Sequence, residues 1–385
     1  MKDAWRRSPS GRLRARGAGV PFRGEPGEHN AITDVASVEV GYTTLISGEG
    51  ALKVGEGPVR TGVTAILPRG LECAESGVFA AMFSLNGNGE MSGAHWIEET
   101  GRLDGPITIT NTHSCGLARD ATIKWLNRRQ DSFGREGNDF WMPVAAETCD
   151  SFLNDMNGFH VKDEHVFAAI EAAKGGPIAE GSVGGGAGMS CYQFKAGSGA
   201  ASRKVQVSGG DFTIGAFVQA NFGARHLCTI AGVPIGEYIP YTGPQKHRYL
   251  RDQAVDSGSI IIVLATDAPL HPLQLKRLAR RAGVGMARSG GIASNESGDI
   301  FLAFSTANRA AYENVYACGQ MECFGDFMMT PMMEAAVQAV DEAILNSLFA
   351  SETMVGRDGN VRDGLPVEQV RALLRQHGRW IDPDA

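Results

Sequence analysis

Cysteine is scarce, 7 in 385 residues, and no two stand as C-x-x-C. The closest pair, Cys318 and Cys323, lacks the histidine or cysteine company of a zinc site, so the thiols read as reduced and structural. Long apolar runs are missing too: the longest, Ile260 to Ala265, is far too short to span a bilayer. Long basic blocks are absent. With a formal net charge of -7 and both signs spread along the chain, nothing marks it for nucleic acid or an anionic membrane surface. A soluble, cytoplasmic protein acting on something small is expected. The one basic cluster, Arg6, Arg7, Arg12, Arg14 and Arg16, has no apolar stretch behind it, which argues against a secretory signal. Residues 1–29 therefore read as a solvated N-terminal arm.

Familiar catalytic signatures are also missing. No two histidines stand at i, i+4 around a carboxylate, and no G-x-S-x-G elbow presents a serine. The glycines of Gly181-Ser182-Val183-Gly184-Gly185-Gly186-Ala187-Gly188-Met189 do not fit a nucleotide loop. Met189 stands where a dinucleotide fingerprint needs glycine, and the Lys-Ser/Thr pair of a P-loop is lacking. They read instead as positions of close backbone approach or positive φ beside a pocket. His95, His113 and His160 sit in polar contexts that suit either a site or a structural role.

Glycine is abundant, 50 of 385 residues, without a collagen or low-complexity period, so many tight backbone positions are implied. Short β-branched strands are predicted at Val38–Tyr42, Gly62–Leu67, Val78–Phe83 and Ile107–Thr110, with Asn86-Gly87-Asn88-Gly89 as a turn. Helical spacing follows at Ala118–Asn127 and Glu164–Ala173. Strands resume at Lys204–Val207 and Thr213–Ala220. From Gly223 to Asp256 the pattern weakens into an exposed, cuttable loop carrying the charged run Lys246 to Asp252. Ser259 to Ala265 then reads as a strand apolar on both faces, as a covered central strand requires. A helix at Pro272–Met286, a strand at Ile300–Ser305 and a helix at Met332–Phe349 follow. Clustered strands and clustered helices favour two stacked sheets with helices outside over an alternating doubly wound fold.

A serine hydroxyl is a weak nucleophile until a base takes its proton, and a free α-amine, with a pKa of roughly 7.7 to 8.0, can be that base. Inside a chain only scission supplies one. Gly258-Ser259, on the border between an exposed loop and a buried strand, offers such a bond, since a residue without Cβ lets the preceding peptide twist into range. An ordinary strand start has the same sequence.

Many segments, in order and over most of the chain, resemble the self-processing aminopeptidases typified by L-aminopeptidase/D-amino-acid esterase and the β-peptidyl aminopeptidases. They are Asn30-Ala31-Ile32-Thr33-Asp34-Val35, Ser84-Leu85-Asn86-Gly87-Asn88-Gly89-Glu90, Asn111-Thr112-His113-Ser114 and Leu153-Asn154-Asp155. Further on come Gly184-Gly185-Gly186, Val218-Gln219-Ala220-Asn221, Gly258-Ser259-Ile260-Ile261, Ala265-Thr266-Asp267-Ala268-Pro269-Leu270 and Ser297-Gly298-Asp299-Ile300-Phe301. The resemblance implies a single αββα sandwich over 30–385, cut by the protein itself into an α chain ending at Gly258 and a β chain, 259–385, beginning with Ser259.

It further implies Asn221 as oxyanion donor and Ser297 with Asp299 as the network around the nucleophile, with no metal and no cofactor. The family's tyrosine near the Leu-Asn-Asp segment is absent; Cys149 and Phe152 stand there without a phenol. Glu136 lies where an acid could hold a substrate ammonium, or is an exposed loop glutamate. The expected activity is removal of N-terminal residues from short peptides, amino-acid amides or esters through a seryl acyl-enzyme, by a homotetramer. Alternatives are an ω-amino-acid oligomer hydrolase or transacylase of the same fold, or an unprocessed ligand-binding homologue.

Overall fold

The computed structural model describes residues 2–130, 140–242, 257–309 and 318–384. Two sheets carry the architecture. The smaller runs β1 (Glu39–Ser47), β2 (Val59–Leu71), β5 (Ile107–Asn111) and β6 (Val144–Thr148). The larger has the order β4 (Arg102–Leu103), β3 (Val78–Gly87), β12 (Glu296–Ser305), β11 (Ser257–Thr266), β10 (Gly210–Asn221) and β9 (Ser198–Val207).

Three apolar clusters correspond to the three interfaces of a four-layer sandwich. Val40, Ile66 and Ile109 of the smaller sheet meet Phe217, Ile261, Val263 and Leu302 of the larger in the middle layer. Ile260, Ile262, Leu264 and Phe301 face outward against the helices Pro272–Arg288 and Met329–Phe349. Val63, Ala65 and Ala145 do the same against Cys115–Gln130 and Asp163–Glu171. The expected αββα arrangement is thus present. β11 explains its own sequence: with β10 and β12 on its flanks and cover on both faces, all six side chains from Ile260 to Ala265 are fully buried. Each large one contributes roughly 1.5–3 kcal/mol of burial.

The N-terminal arm is solvated only in part, and residues 14–20 are buried. Ala15, Ala18 and Val20 are core residues, and of the arginines that read as surface charge Arg14 and Arg16 are buried with partners, while Arg7 and Arg12 stay exposed. Arg14 pairs with Glu180 and donates to the Asn30 and Ala200 carbonyls. Arg16 makes a bidentate pair with Glu342, which Arg203 also engages. Burial alone would raise the Glu342 carboxyl, but Arg203 and Arg16 hold it well below the usual carboxylate range. The sequence misled because the carboxylates that make burial of these two guanidinium groups tolerable lie 166 and 326 residues away in the chain.

A two-residue hairpin joins β7 (Ser190–Cys191) to β8 (Phe194–Lys195). Its Lys195 is wholly buried, with Nζ donating to the Ala196 carbonyl at 2.5 Å, and burial depresses the ammonium to about 7. The folded state holds this proton less tightly than the unfolded chain, whose lysine titrates near ~10.4. Stability should therefore be lowest below about pH 7 and rise as pH climbs through that window. Lys195→Met is expected to stabilise the protein at pH 7 by a few kcal/mol, on the order of 3–5. Denaturant titrations at pH 7 and pH 10 check this, and a gain that does not shrink at the higher pH would disprove it.

Candidate active site

Three strands place the expected nucleophile. β10 runs antiparallel to β11 with Asn221 directly opposite Ser259, and β12 runs parallel on the other side with Gly298 opposite. Paired residues project to the same face of a sheet, so the Ser259 hydroxyl and the Asn221 amide are cross-strand neighbours on the face between the sheets. Ser259 is 5 % exposed and Asn221 7 %. The Gly298 N–H donates to Ser259 Oγ at 3.3 Å.

Gly258 has φ +155°, and a Cβ there would lie 1.9 Å from the Asn221 carbonyl oxygen. No other residue fits without moving β10 or β11. A Cβ on Gly298 would in turn meet the Asn88 carbonyl at 2.3 Å. The Asn86-Gly87-Asn88-Gly89 turn is thus pressed onto the strand beside the serine. Asn86 locks it there, accepting from Asp299 N–H at 2.7 Å and donating to the Ser294 carbonyl at 2.9 Å.

The Asn221 amide is fixed from both ends. Its Oδ1 accepts from Ser190 N–H at 3.0 Å, and its Nδ2 donates to the Cys149 carbonyl at 2.9 Å, leaving one N–H for another acceptor. The first partner is held by strained backbone: Tyr192 and Gln193, at the tip of the β7–β8 hairpin, have φ +51° and +57°. Arg225 clamps that tip, donating to both carbonyls at 2.8 Å, while Tyr192 N–H donates to the Phe222 carbonyl at 2.7 Å.

Ser297 and Asp299 form a pair, Oγ donating to Oδ1 at 2.8 Å, 1 % and 0 % exposed. In register they stand opposite Gly258 and Ile260, flanking Gly298. Strand alternation turns them to the sheet face opposite that of the Ser259 side chain, next to the 258–259 peptide. By register they stand beside the backbone of residues 258–260 and not on the side of the Ser259 hydroxyl. Glu136 lies outside the described residues, as does the Lys246 to Asp252 run.

Sequence reasoning passed over Glu147, at the end of the short alanine-rich β6. It is 3 % exposed, accepts from Glu90 N–H at 2.9 Å and bonds the Thr112 hydroxyl. Burial raises its carboxyl, against the pull of those donors. A Cβ on Gly89 would lie 3.2 Å from its Oε1 and 3.4 Å from Gly298 Cα, so the carboxylate sits about one methyl group from the strand opposite Ser259. The available signal was a lone acid ending an apolar run. Among the histidines, His160 bonds Asp155 at 2.9 Å and His113 stacks on Phe159, both of them pairings with neighbouring loop residues. No cluster of three or more His, Cys, Asp or Glu placed to hold a metal occurs among the described residues.

A model of peptidase family S58 matches residues 30–362. The chain belongs to this family. It is 50 % identical over 377 residues to the β-peptidyl aminopeptidase BapA of Sphingosinicella microcystinivorans, covering 95 % of this chain and 93 % of that protein. BapA of Sphingosinicella xenopeptidilytica is 43 % identical over 94 % and 91 %. Among solved structures, the L-aminopeptidase D-Ala-esterase/amidase of Ochrobactrum anthropi, a prototype of the serine aminopeptidases with a variant Ntn-hydrolase fold, superposes with TM-score 0.89. It is 46 % identical over 96 % of this chain and 99 % of its own. The S58 chain described here is accordingly a hydrolase, an aminopeptidase/amidase of this fold. Among its described residues no helix is long and apolar enough to cross a membrane.

Proposed function

We propose that this S58 member is a self-processing aminopeptidase whose nucleophile is Ser259, released by scission of the Gly258–Ser259 bond. The observation that carries the reading is the placement of Ser259 between Asn221 and Gly298, behind a glycine whose backbone admits no side chain. Ser259 Oγ attacks the Gly258 carbonyl carbon, an ester forms as the C–N bond breaks, and the nitrogen takes up the hydroxyl proton. Water then hydrolyses the ester, leaving a Gly258 carboxylate and a free Ser259 amine. Departure of Gly258 opens the register position opposite Ser297, where the new amine would be oriented by the Ser297–Asp299 pair.

In turnover the α-amine takes the hydroxyl proton as Ser259 attacks the substrate carbonyl, and the remaining Asn221 N–H holds the oxyanion. The amine then gives the proton to the leaving nitrogen, and water releases the acyl group. The buried Glu147, and not Glu136, is the carboxylate suited to a substrate ammonium, whose charge would offset the effect of burial on it. Short peptides, amides and esters with a free amino end are the substrates, with β-amino residues included on the strength of the β-peptidyl relatives. A cytoplasmic homotetramer of processed protomers completes the reading. Intact-mass measurement of the purified, active wild type tests it: two fragments divided between Gly258 and Ser259 are expected, and a single active polypeptide would sink it.

A further inference from the structure

Beyond Asn221, on the side away from β12, lies a cavity of about 440 Å³. Its walls include Phe152, from the turn whose Cys149 carbonyl holds the Asn221 amide, and Phe194, from the hairpin whose Ser190 N–H holds it. The strand order of the larger sheet sets out a line from Gly298 on β12, beside which Glu147 of β6 sits, to Ser259 on β11 and Asn221 on β10, and the cavity lies past the two elements that hold the Asn221 amide. A substrate with its ammonium at Glu147 and its scissile carbonyl between Ser259 and Asn221 has its leaving half at the far end of that line.

The cavity is electrostatically unbalanced. Arg225, 6 % exposed, lines it with three of its five N–H groups committed to the Tyr192, Gln193 and Ile239 carbonyls. Arg362 lies behind the wall, stacked on Phe152 at 3.6 Å and donating to the Tyr241 hydroxyl at 3.0 Å, with its Nε unpartnered. Among the described residues neither guanidinium has a carboxylate within ion-pair distance. Asp363 is at the cavity, but exposed. The Asp363 charge reaches both guanidinium groups, so two partly desolvated cations face one exposed carboxylate; the positive charge left over favours an anion there, and aromatic walls favour one attached to an apolar body.

We infer that this cavity seats the leaving half of the substrate and receives its free carboxylate, so that the enzyme prefers short peptides ending in an acid over the same peptides ending in an amide. The inference rests on the reading of Ser259, Asn221 and Glu147 above.

The test compares kcat/KM for a β-alanyl or alanyl dipeptide with that for its C-terminal amide, with the corresponding amino-acid anilide as a check on the nucleophilic site. The acid is expected to be favoured about tenfold or more. Val361 lines the cavity at 41 % exposure, where a charge can be added without disturbing the core. Val361→Glu should lower the acid-to-amide ratio about two- to fivefold and Val361→Lys should raise it by a similar factor. Equal rates for acid and amide in the wild type would overturn the proposal whatever the variants do, and so would a ratio indifferent to charge at 361. Turnover of the anilide alongside either result confines the failure to the cavity, whereas loss of all three activities condemns the nucleophile assignment instead.

Discussion

Ser259→Ala is expected to leave the full 40.9 kDa chain as one band on a denaturing gel, with no detectable release of N-terminal residues. Both losses come from one oxygen: without it there is no attack on the Gly258 carbonyl, and without that attack no internal amine. The fold should survive, because among the described residues the hydroxyl makes only a 3.3 Å bond with Gly298 N–H and alanine fits the same extended backbone. A companion substitution separates chemistry from geometry. Gly258→Ala keeps the hydroxyl but drives a methyl to 1.9 Å from the Asn221 carbonyl, forcing β10 and β11 apart. Cleavage should slow markedly or stop with Ser259 intact. Two fragments from purified Ser259→Ala would refute the scheme, whatever Gly258→Ala does.

For Asn221→Ala the expected result is a fall in kcat of about 10²–10³ with little change in KM, since the amide serves the developing oxyanion more than the bound substrate. Because the same group is expected to steady the scission, the variant should also mature slowly, and kcat is to be referred to the cleaved fraction. The substitution strips partners from Ser190 N–H and the Cys149 carbonyl, at a stability cost of roughly 1–3 kcal/mol. Circular dichroism at the assay temperature therefore accompanies the kinetics. A folded, cleaved variant with kcat within about threefold of the wild type would remove Asn221 from the oxyanion role.

Much of the scaffold was legible because its elements obey simple periods. The doubly apolar run Ile260–Ala265 announced a covered strand, and it is the fourth of six in order along its sheet. The helix Pro272–Arg288 carries proline at its first turn and buries Leu275, Leu278, Ala279, Ala282 and Met286 on one stripe. β6 escaped notice, since Val144-Ala145-Ala146-Glu147-Thr148 is short and alanine-rich and becomes a strand only beside β5. The hairpin tip escaped for the opposite reason: Tyr192 and Gln193 are not residues that advertise positive φ, and the Arg225 clamp holding them is tertiary. At the site, residue types were readable from motifs but their adjacency was not. The Asn221–Ser259 register and the burial of Glu147 depend on pairings between segments far apart in the chain.

The larger sheet interleaves material from either side of the 258–259 bond: β3, β10 and β9 precede it, and β12 and most of β11 follow, in the order β3-β12-β11-β10. Arg16, near the beginning, is chelated by Glu342 in the Met329–Phe349 helix. A nick at one end of β11, as proposed, would therefore create two polypeptides with no separable subunits. Dilution should not dissociate them, and they should melt in a single transition. Split genes encoding the two pieces should yield enzyme only when co-expressed, because neither half owns the whole of the larger sheet.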